Sequence, residues 1–423
     1  MKPSIFSLEV GKSFLVILFM FYGTQHVLHV FNYTYFMNEY RAVASLSLAP
    51  FLMSVALIFL MACFDKIIPA IRLKKVAITR RLFWLVVLLV YIIPLTYVGY
   101  WFYQNASIAF RYEARLSDFG AVTYVMAAQQ FIFRFHIFLT VISIINNKVL
   151  SAPNRLLLIY CSFFFGLTIT GTLDLMILIL AVFLGVFPKF FRNVFFRGKE
   201  LTFFRGILGL FICVAVIAGM VFFGFANKEG YASAYVRIIG SYQDILGIVF
   251  ARVSSSYATV VSLNAQLDFW NIDAAGITGS WETLVYRFNL LFGVDQVARD
   301  VTGSVGRQNY IAVFNDYLPR AGASPGPLGS LFYFPFMPLS LMVHALFYIS
   351  ILRLVQSFIK SDAGELSFIT IFILCITLLP FLENPYEYAE LIGAPIVYLT
   401  CFLLGLFVKV KHQQLDIKST DLK

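Results

Sequence analysis

Charge is what this sequence has least of. Asp, Glu, Lys and Arg make up 13% of its 423 residues, against about 25% in soluble globular chains. That scarcity, set beside 60% hydrophobic residues, excludes a water-soluble enzyme. It equally excludes a disordered regulator, which would be rich in charge and poor in apolar side chains. Cysteine is scarce too. Cys63, Cys161, Cys213, Cys375 and Cys401 all fall inside apolar segments, which argues against a disulfide framework and a cysteine-built metal site. No D-x-D stands in an outer loop, no Walker-type loop is present, and no repeat or low-complexity tract appears. No metal and no cofactor is therefore expected, and energy must come from the substrate or from an ion gradient. What remains is an all-α polytopic membrane protein.

A membrane-crossing helix needs roughly 20 apolar residues. Ten spans are predicted, at about 13–31, 45–64, 82–103, 125–145, 156–170, 173–188, 206–226, 331–352, 368–382 and 391–408. The fifth and sixth are short and joined by a tight Thr170-Gly171-Thr172 turn. Of the 32 Lys and Arg, 21 fall on one side of this arrangement, both termini included, while the opposite short loops hold only Arg41, Arg111 and Arg115. Positive-inside bias then places both termini in the cytoplasm. The net charge of +10 reads as this membrane bias and not as a nucleic-acid footprint. Met1–Phe31 shows no small-residue cleavage site, so no cleaved leader is expected. The organisation is 1–226 with seven spans, 227–330 as one large outer loop, and 331–423 with three spans and a cytoplasmic tail.

That loop has 104 residues, and loops of such length without structure are uncommon and usually functional. Its composition predicts helices. Ile238, Ile239, Tyr242, Leu246, Val249, Val253, Tyr257 and Val260 recur at three/four spacing within Tyr235–Leu263, as on one face of an amphipathic helix. The same spacing groups Arg237, Ser241, Asp244 and Arg252 on the polar side. A second helix is predicted over Glu282–Leu291, after a linker containing Gly276, and a third near Asn309–Tyr317. The Pro319 to Gly329 cluster is expected to break the chain before span eight. Six of the seven loop cations are Arg: Arg237, Arg252, Arg287, Arg299, Arg307 and Arg320. Arg offers a planar fork of donors suited to phosphate and does not lose its charge. The set reads either as a solvated surface with scattered ion pairs or as a funnel for a pyrophosphate.

Several polar groups sit at membrane depth, where they are expensive and commonly functional. Arg134 and His136 lie in span four, Asp174 at the turn between the two short spans, and His26 and His29 in span one. For Arg134 two readings stand, a buried pair with a carboxylate of another span or a ligand role. The histidines suit helix–helix hydrogen bonds better than catalysis. Glu383 closes span nine in Leu382-Glu383-Asn384-Pro385, where it could face the folded loop or simply meet water.

Ten spans, a large late outer loop and the run Ala323-Ser324-Pro325-Gly326-Pro327-Leu328-Gly329-Ser330 resemble the Wzy-type polymerases of O-antigen and enterobacterial common antigen. Ser324, Pro325 and Gly329 match that family's Ser-Pro-x-x-x-Gly run. Gly171-Thr172-Leu173 is similar to its G-[ST]-R turn, with Leu173 where Arg is usual. The Leu382-Glu383-x-Pro385 ending is similar to some members. The resemblance implies a bacterial inner-membrane glycosyltransferase of GT-C-type helical architecture that needs no cofactor. It would join undecaprenyl-pyrophosphate-linked oligosaccharides on the periplasmic face, with the bilayer and a chain-length regulator as candidate partners and no nucleic acid. Arg252, then Arg237, Arg307 and Arg320, with Arg111 and Arg115, would hold the leaving pyrophosphate. Asp316 or Glu383 would take the acceptor proton. O-antigen ligases share the architecture but are expected to carry a catalytic His in the large loop, and residues 227–330 contain none. A lipid-linked-sugar flippase and a lipid-monophosphate-dependent enzyme are the remaining alternatives.

Overall fold

The computed structural model describes residues 48–69, 75–105, 121–145, 150–169, 172–190, 275–291, 304–314, 324–362, 384–389 and 393–410. It adds shorter stretches at 15–16, 19–20, 22–27 and 259–264, and single positions at 222, 226, 233, 235 and 257. These residues are overwhelmingly helical. Helix α1 spans Ala49–Ile67, with Pro50 in its first turn and Lys66 in its last. A proline there fills a position whose N–H is unsatisfied anyway, and the cation complements the helix C-terminus. Strand β1, Val76–Ile78, leads into α2 at Arg80–Val86, capped by the Thr79 hydroxyl, which accepts the Leu82 N–H at 3.3 Å.

Helix α2 runs through a π-helical stretch, Val87–Ile92, into α3 at Ile93–Asn105. The widened turn has a cause in the sequence. Pro94 carries no N–H for the Val90 carbonyl four residues back, and its ring would crowd that carbonyl. The Val90 carbonyl instead accepts Gln129 Nε2 at 3.0 Å from the neighbouring helix. Backbone groups freed at membrane depth need such a partner.

Then follow α4 at Ala121–Ile145, α5 at Ala152–Leu167 and α6 at Thr172–Val186. The last two form the short pair predicted around Gly171. At the opposite end of that hairpin, Arg155 donates to the Gly185 and Val186 carbonyls at 2.9 and 3.2 Å, which satisfies the final turn of α6. Helices α7 (Ala275–Leu291), α8 (Val305–Phe314) and the single turn α9 (Gly326–Gly329) come from the loop region. A 3-10 turn at Ser330–Tyr333, α10 at Met337–Asp362, the turn α11 at Tyr386–Ala389 and α12 at Gly393–Phe407 complete the helices. Strand β2, Val408–Val410, pairs in parallel with β1, Val76 opposite Val408.

Four helical segments among the described residues are long and apolar enough to cross a membrane: Ala49–Ile67, Arg80–Asn105, Val125–Ile144 and Met337–Ile359. Three shorter apolar helices, Ala152–Leu167, Asp174–Val186 and Ile396–Phe407, pack among them. The Arg80–Asn105 segment is mostly exposed and the Val125–Ile144 segment mostly buried, so α4 is central and α2–α3 peripheral. Phe135, Phe138, Phe358 and Phe402 form an aromatic core joining α4, α10 and α12, with ring centroids 5.0 to 5.9 Å apart. Five of these pairs are tilted or edge-on and Phe135–Phe138 is stacked; tilted and edge-on pairs suit the ring quadrupole.

Two expectations are corrected. The helix expected as span eight begins at Met337, six residues beyond the expected 331, and runs on to Asp362. Pro335 explains the shift: it drives Phe334 into an extended conformation (φ −120°, ψ 137°), as a following proline does. Phe336 then turns the chain with φ at 59°. The second loop helix begins at Ala275 and so includes Gly276 instead of following it. The predicted spans at 206–226 and 368–382 lie outside the described residues apart from Phe222 and Ala226.

Candidate functional site

The Ser324–Ser330 run does not simply break the chain; it folds into the bundle. Gly326 takes φ at 69°, a conformation that glycine adopts without steric cost, and this bends the backbone into α9. The Ser324 hydroxyl accepts the Gly326 N–H at 3.4 Å, and the Ser330 hydroxyl donates to the Gly326 carbonyl at 2.8 Å. Gly329 is closely confined: a Cβ there would lie 3.0 Å from Pro325 Cβ and 3.6 Å from atoms of Thr259 and Leu263. Thus the motif packs on the first amphipathic stretch of the loop. Tyr257 and Val260, which the periodicity puts on its apolar face, are buried, and so is Leu263 at the end of that stretch.

Around this turn the structure gathers hydroxyls, amides and one imidazole. The Ser340 hydroxyl donates to the Leu331 carbonyl at 2.8 Å, tying the 3-10 turn to α10. One helical turn on, His344 donates from Nδ1 to the Ser340 carbonyl at 2.8 Å. Its ring lies 6.0 Å from Phe334, 6.2 Å from Tyr348 and 5.8 Å from Tyr386. Tyr386 donates to the Ser330 carbonyl at 3.3 Å, and Tyr333 donates to Asn309 Oδ1 at 3.1 Å. Asn384 accepts the Tyr386 N–H on Oδ1 at 3.1 Å. Burial pushes the Tyr386 phenol above its ordinary range, so it stays a neutral donor. Tyr388 is pushed up likewise, by burial first and then by the Glu387 carboxylate. Gly276 seats α7 directly on the 3-10 turn, since a Cβ there would fall 2.2 Å from the Tyr333 carbonyl oxygen.

A second contact ties Tyr257 to the helical stretch around His26. Tyr257 hydrogen-bonds His26 Nδ1 at 2.5 Å, and the imidazole stacks on Phe51 at 5.3 Å. This is the helix-contact reading of His26. His136 likewise hydrogen-bonds Tyr91, at 2.8 Å. Arg134 and Asp174 pair at 2.6 Å.

Of the predicted site residues, Arg307 is placed. It stands in the first turn of α8, partly buried, and its backbone N–H donates to the Ser304 carbonyl at 2.9 Å. Asn309 of the same helix reaches the cluster through Tyr333. Arg252, Arg237, Arg320, Arg111, Arg115, Asp316 and Glu383 lie outside the described residues. Glu383 directly precedes Asn384, and Asp316 follows the end of α8 by two residues. His344, Asn384 and Tyr386 were not singled out by the sequence. The available signal was weak: one histidine inside an apolar span, and an Asn-Pro-Tyr run at a helix start. No protein-family model, no curated protein and no solved structure matches this chain.

Proposed function

We propose that this chain is a bacterial inner-membrane polysaccharide polymerase with ten spans, GT-C-type architecture and both termini in the cytoplasm. It joins undecaprenyl-pyrophosphate-linked oligosaccharide units on the periplasmic face. The acceptor hydroxyl of a new lipid-linked unit attacks the anomeric carbon of the growing chain. A glycosidic bond forms, the bond to the carrier's pyrophosphate breaks, and the acceptor proton passes to Asp316 or Glu383. Arg252, with Arg237, Arg307, Arg320, Arg111 and Arg115, stabilises the charge that develops on the pyrophosphate. The reaction needs no cofactor, because pyrophosphate is already a good leaving group.

One observation carries this reading. The Ser324–Gly329 run that bears the resemblance is built into a buried, hydroxyl-rich junction of loop and bundle. A mere linker would have no reason to be held there. The test is a polysaccharide ladder from cells lacking the gene, compared with cells carrying a plasmid copy. A single repeat unit on the lipid core, with longer chains restored by the plasmid, is the expected result. Loss of even the single unit, with lipid-linked chains accumulating, would indicate a ligase, and an unchanged ladder would indicate transport.

A further inference from the structure

The parallel ribbon of β1 and β2 brings the start of α2 beside the end of α12. Its register sets Lys409 opposite Ala77, which puts their backbones about 5 Å apart. Arg80 and Arg81 follow Ala77 in the same chain segment, within a reach of at most about 14 Å. Lys409, Arg80 and Arg81 are all exposed. Cations from distant parts of the sequence therefore share one patch. Their spacing is on the order of a Debye length, about 8 Å in physiological salt, so an anionic surface meets them together.

The ribbon and its two helices supply no anion to answer them. Residues 75–105 and 393–410 contain no Asp or Glu. Asp65, near the end of α1, is taken by Arg353 at 3.0 Å. Of the ion pairs among the described residues, none uses Lys409, Arg80 or Arg81.

Apolar surface begins where the cations end. Leu82 and Leu85 are 47% and 52% exposed, with Phe83 and Trp84 exposed between them, and Phe407 just before β2 is 44% exposed. Helix α2 opens the Arg80–Asn105 segment, which is long and apolar enough to cross a membrane and mostly uncovered by the rest of the protein. An aromatic pair at such a boundary suits the level of lipid headgroups. Arg and Lys at that level are drawn to the phosphates of an anionic leaflet.

We propose that the β1–β2 ribbon is a docking site for anionic phospholipid headgroups, with Arg80, Arg81 and Lys409 holding the phosphates and Leu82, Leu85 and Phe407 against the acyl chains. The leaflet is the cytoplasmic one on the orientation proposed above. The site does not depend on the polymerase reading.

Full-length protein is reconstituted into phosphatidylcholine vesicles that carry a photoactivatable phosphatidylglycerol, or a photoactivatable phosphatidylcholine with the same chains. After illumination, labelled peptides are mapped by mass spectrometry. The phosphatidylglycerol probe is expected to label residues 76–85 and 404–410 in preference to the phosphatidylcholine probe. That preference should fall about fivefold for each cation lost in Arg80→Gln, Arg81→Gln and Lys409→Gln. Lys189→Gln removes an exposed cation beyond α6 and should leave the preference unchanged. Raising the salt on wild-type protein should weaken it too, a measurement that decides the matter if a variant fails to fold. Equal labelling by the two probes, or a preference that survives high salt, would overturn the proposal. Neither result bears on the polymerase reading, which the polysaccharide ladder decides.

Discussion

Arg134 Nη2 of α4 and Asp174 Oδ1 of α6 lie 2.6 Å apart, each side chain only 7% exposed. Asp174 occupies the first turn of α6, where a carboxylate also complements the positive end of the helix. The Arg134 guanidinium sits 5.1 Å from the Phe131 ring centroid, and Phe131 in turn packs against Tyr398 of α12 at 5.4 Å. The short hairpin is thereby fastened to the central helix and to the last one.

Breaking such a pair from one side leaves an uncompensated buried charge, at a cost of about 3–5 kcal/mol. Asp174→Ala and Arg134→Met should each lower the melting temperature and the accumulated level of the protein. The double variant Arg134→Met/Asp174→Leu should regain most of the loss. Single variants as stable as wild type would rule out a structural pair.

At the π-helical stretch, Gln129 answers the Val90 carbonyl that Pro94 cannot serve. Gln129→Leu should therefore destabilise the protein by about 1 kcal/mol. The loss should shrink in a Pro94→Ala background, where an ordinary helical N–H returns. A double-mutant cycle of thermal stabilities reads the coupling, and zero coupling would separate the two residues.

Gly276 and Gly23 make a contrasting pair. A Cβ at Gly276 meets the Tyr333 carbonyl oxygen at 2.2 Å, whereas one at Gly23 meets nothing within 4 Å. Gly276→Ala should cost about 1–3 kcal/mol through overpacking and should shorten the polysaccharide ladder, because it displaces α7 from the 3-10 turn. Gly23→Ala, at a helical position with open space, should be neutral or slightly stabilising. Equal effects at the two positions would contradict the close approach of α7.

Arg252 tests the pyrophosphate assignment directly. Arg252→Ala should abolish long chains with the protein level unchanged. Arg252→Lys keeps the charge but loses the bidentate fork, so it should restore chains only in part. Normal ladders from both variants would remove Arg252 from the site.

Helices were legible because the property that makes them is local. Apolar runs near 45–64 and 82–103 became Ala49–Ile67 and Arg80–Asn105, shifted by a few residues at the ends. The short pair at 156–170 and 173–188 became Ala152–Leu167 and Thr172–Val186. Where the ends missed most, at span eight, two prolines three residues apart contested the start, and hydropathy does not register backbone geometry. In the junction, Ser324 and Gly329 were visible as a motif. His344 and Asn384 were not, because each is one polar residue in an apolar or turn-forming stretch.

Apolar runs in the sequence pointed to helices long enough for a membrane, and the described residues are mostly helical with four such segments, since an apolar length must satisfy its backbone hydrogen bonds within itself. Proline and glycine positions settled where helices begin, bend and turn, because they act on their own φ and on the residue beside them. Which polar group meets which was decided only in three dimensions. Arg134 finds Asp174 forty residues away, His26 finds Tyr257 across 231, and Tyr386 finds Ser330 across 56. Those pairings depend on the order in which helices pack, and that order is set by the shapes of whole apolar faces. No single residue carries that information, and only the folded bundle brings the partners within hydrogen-bond reach.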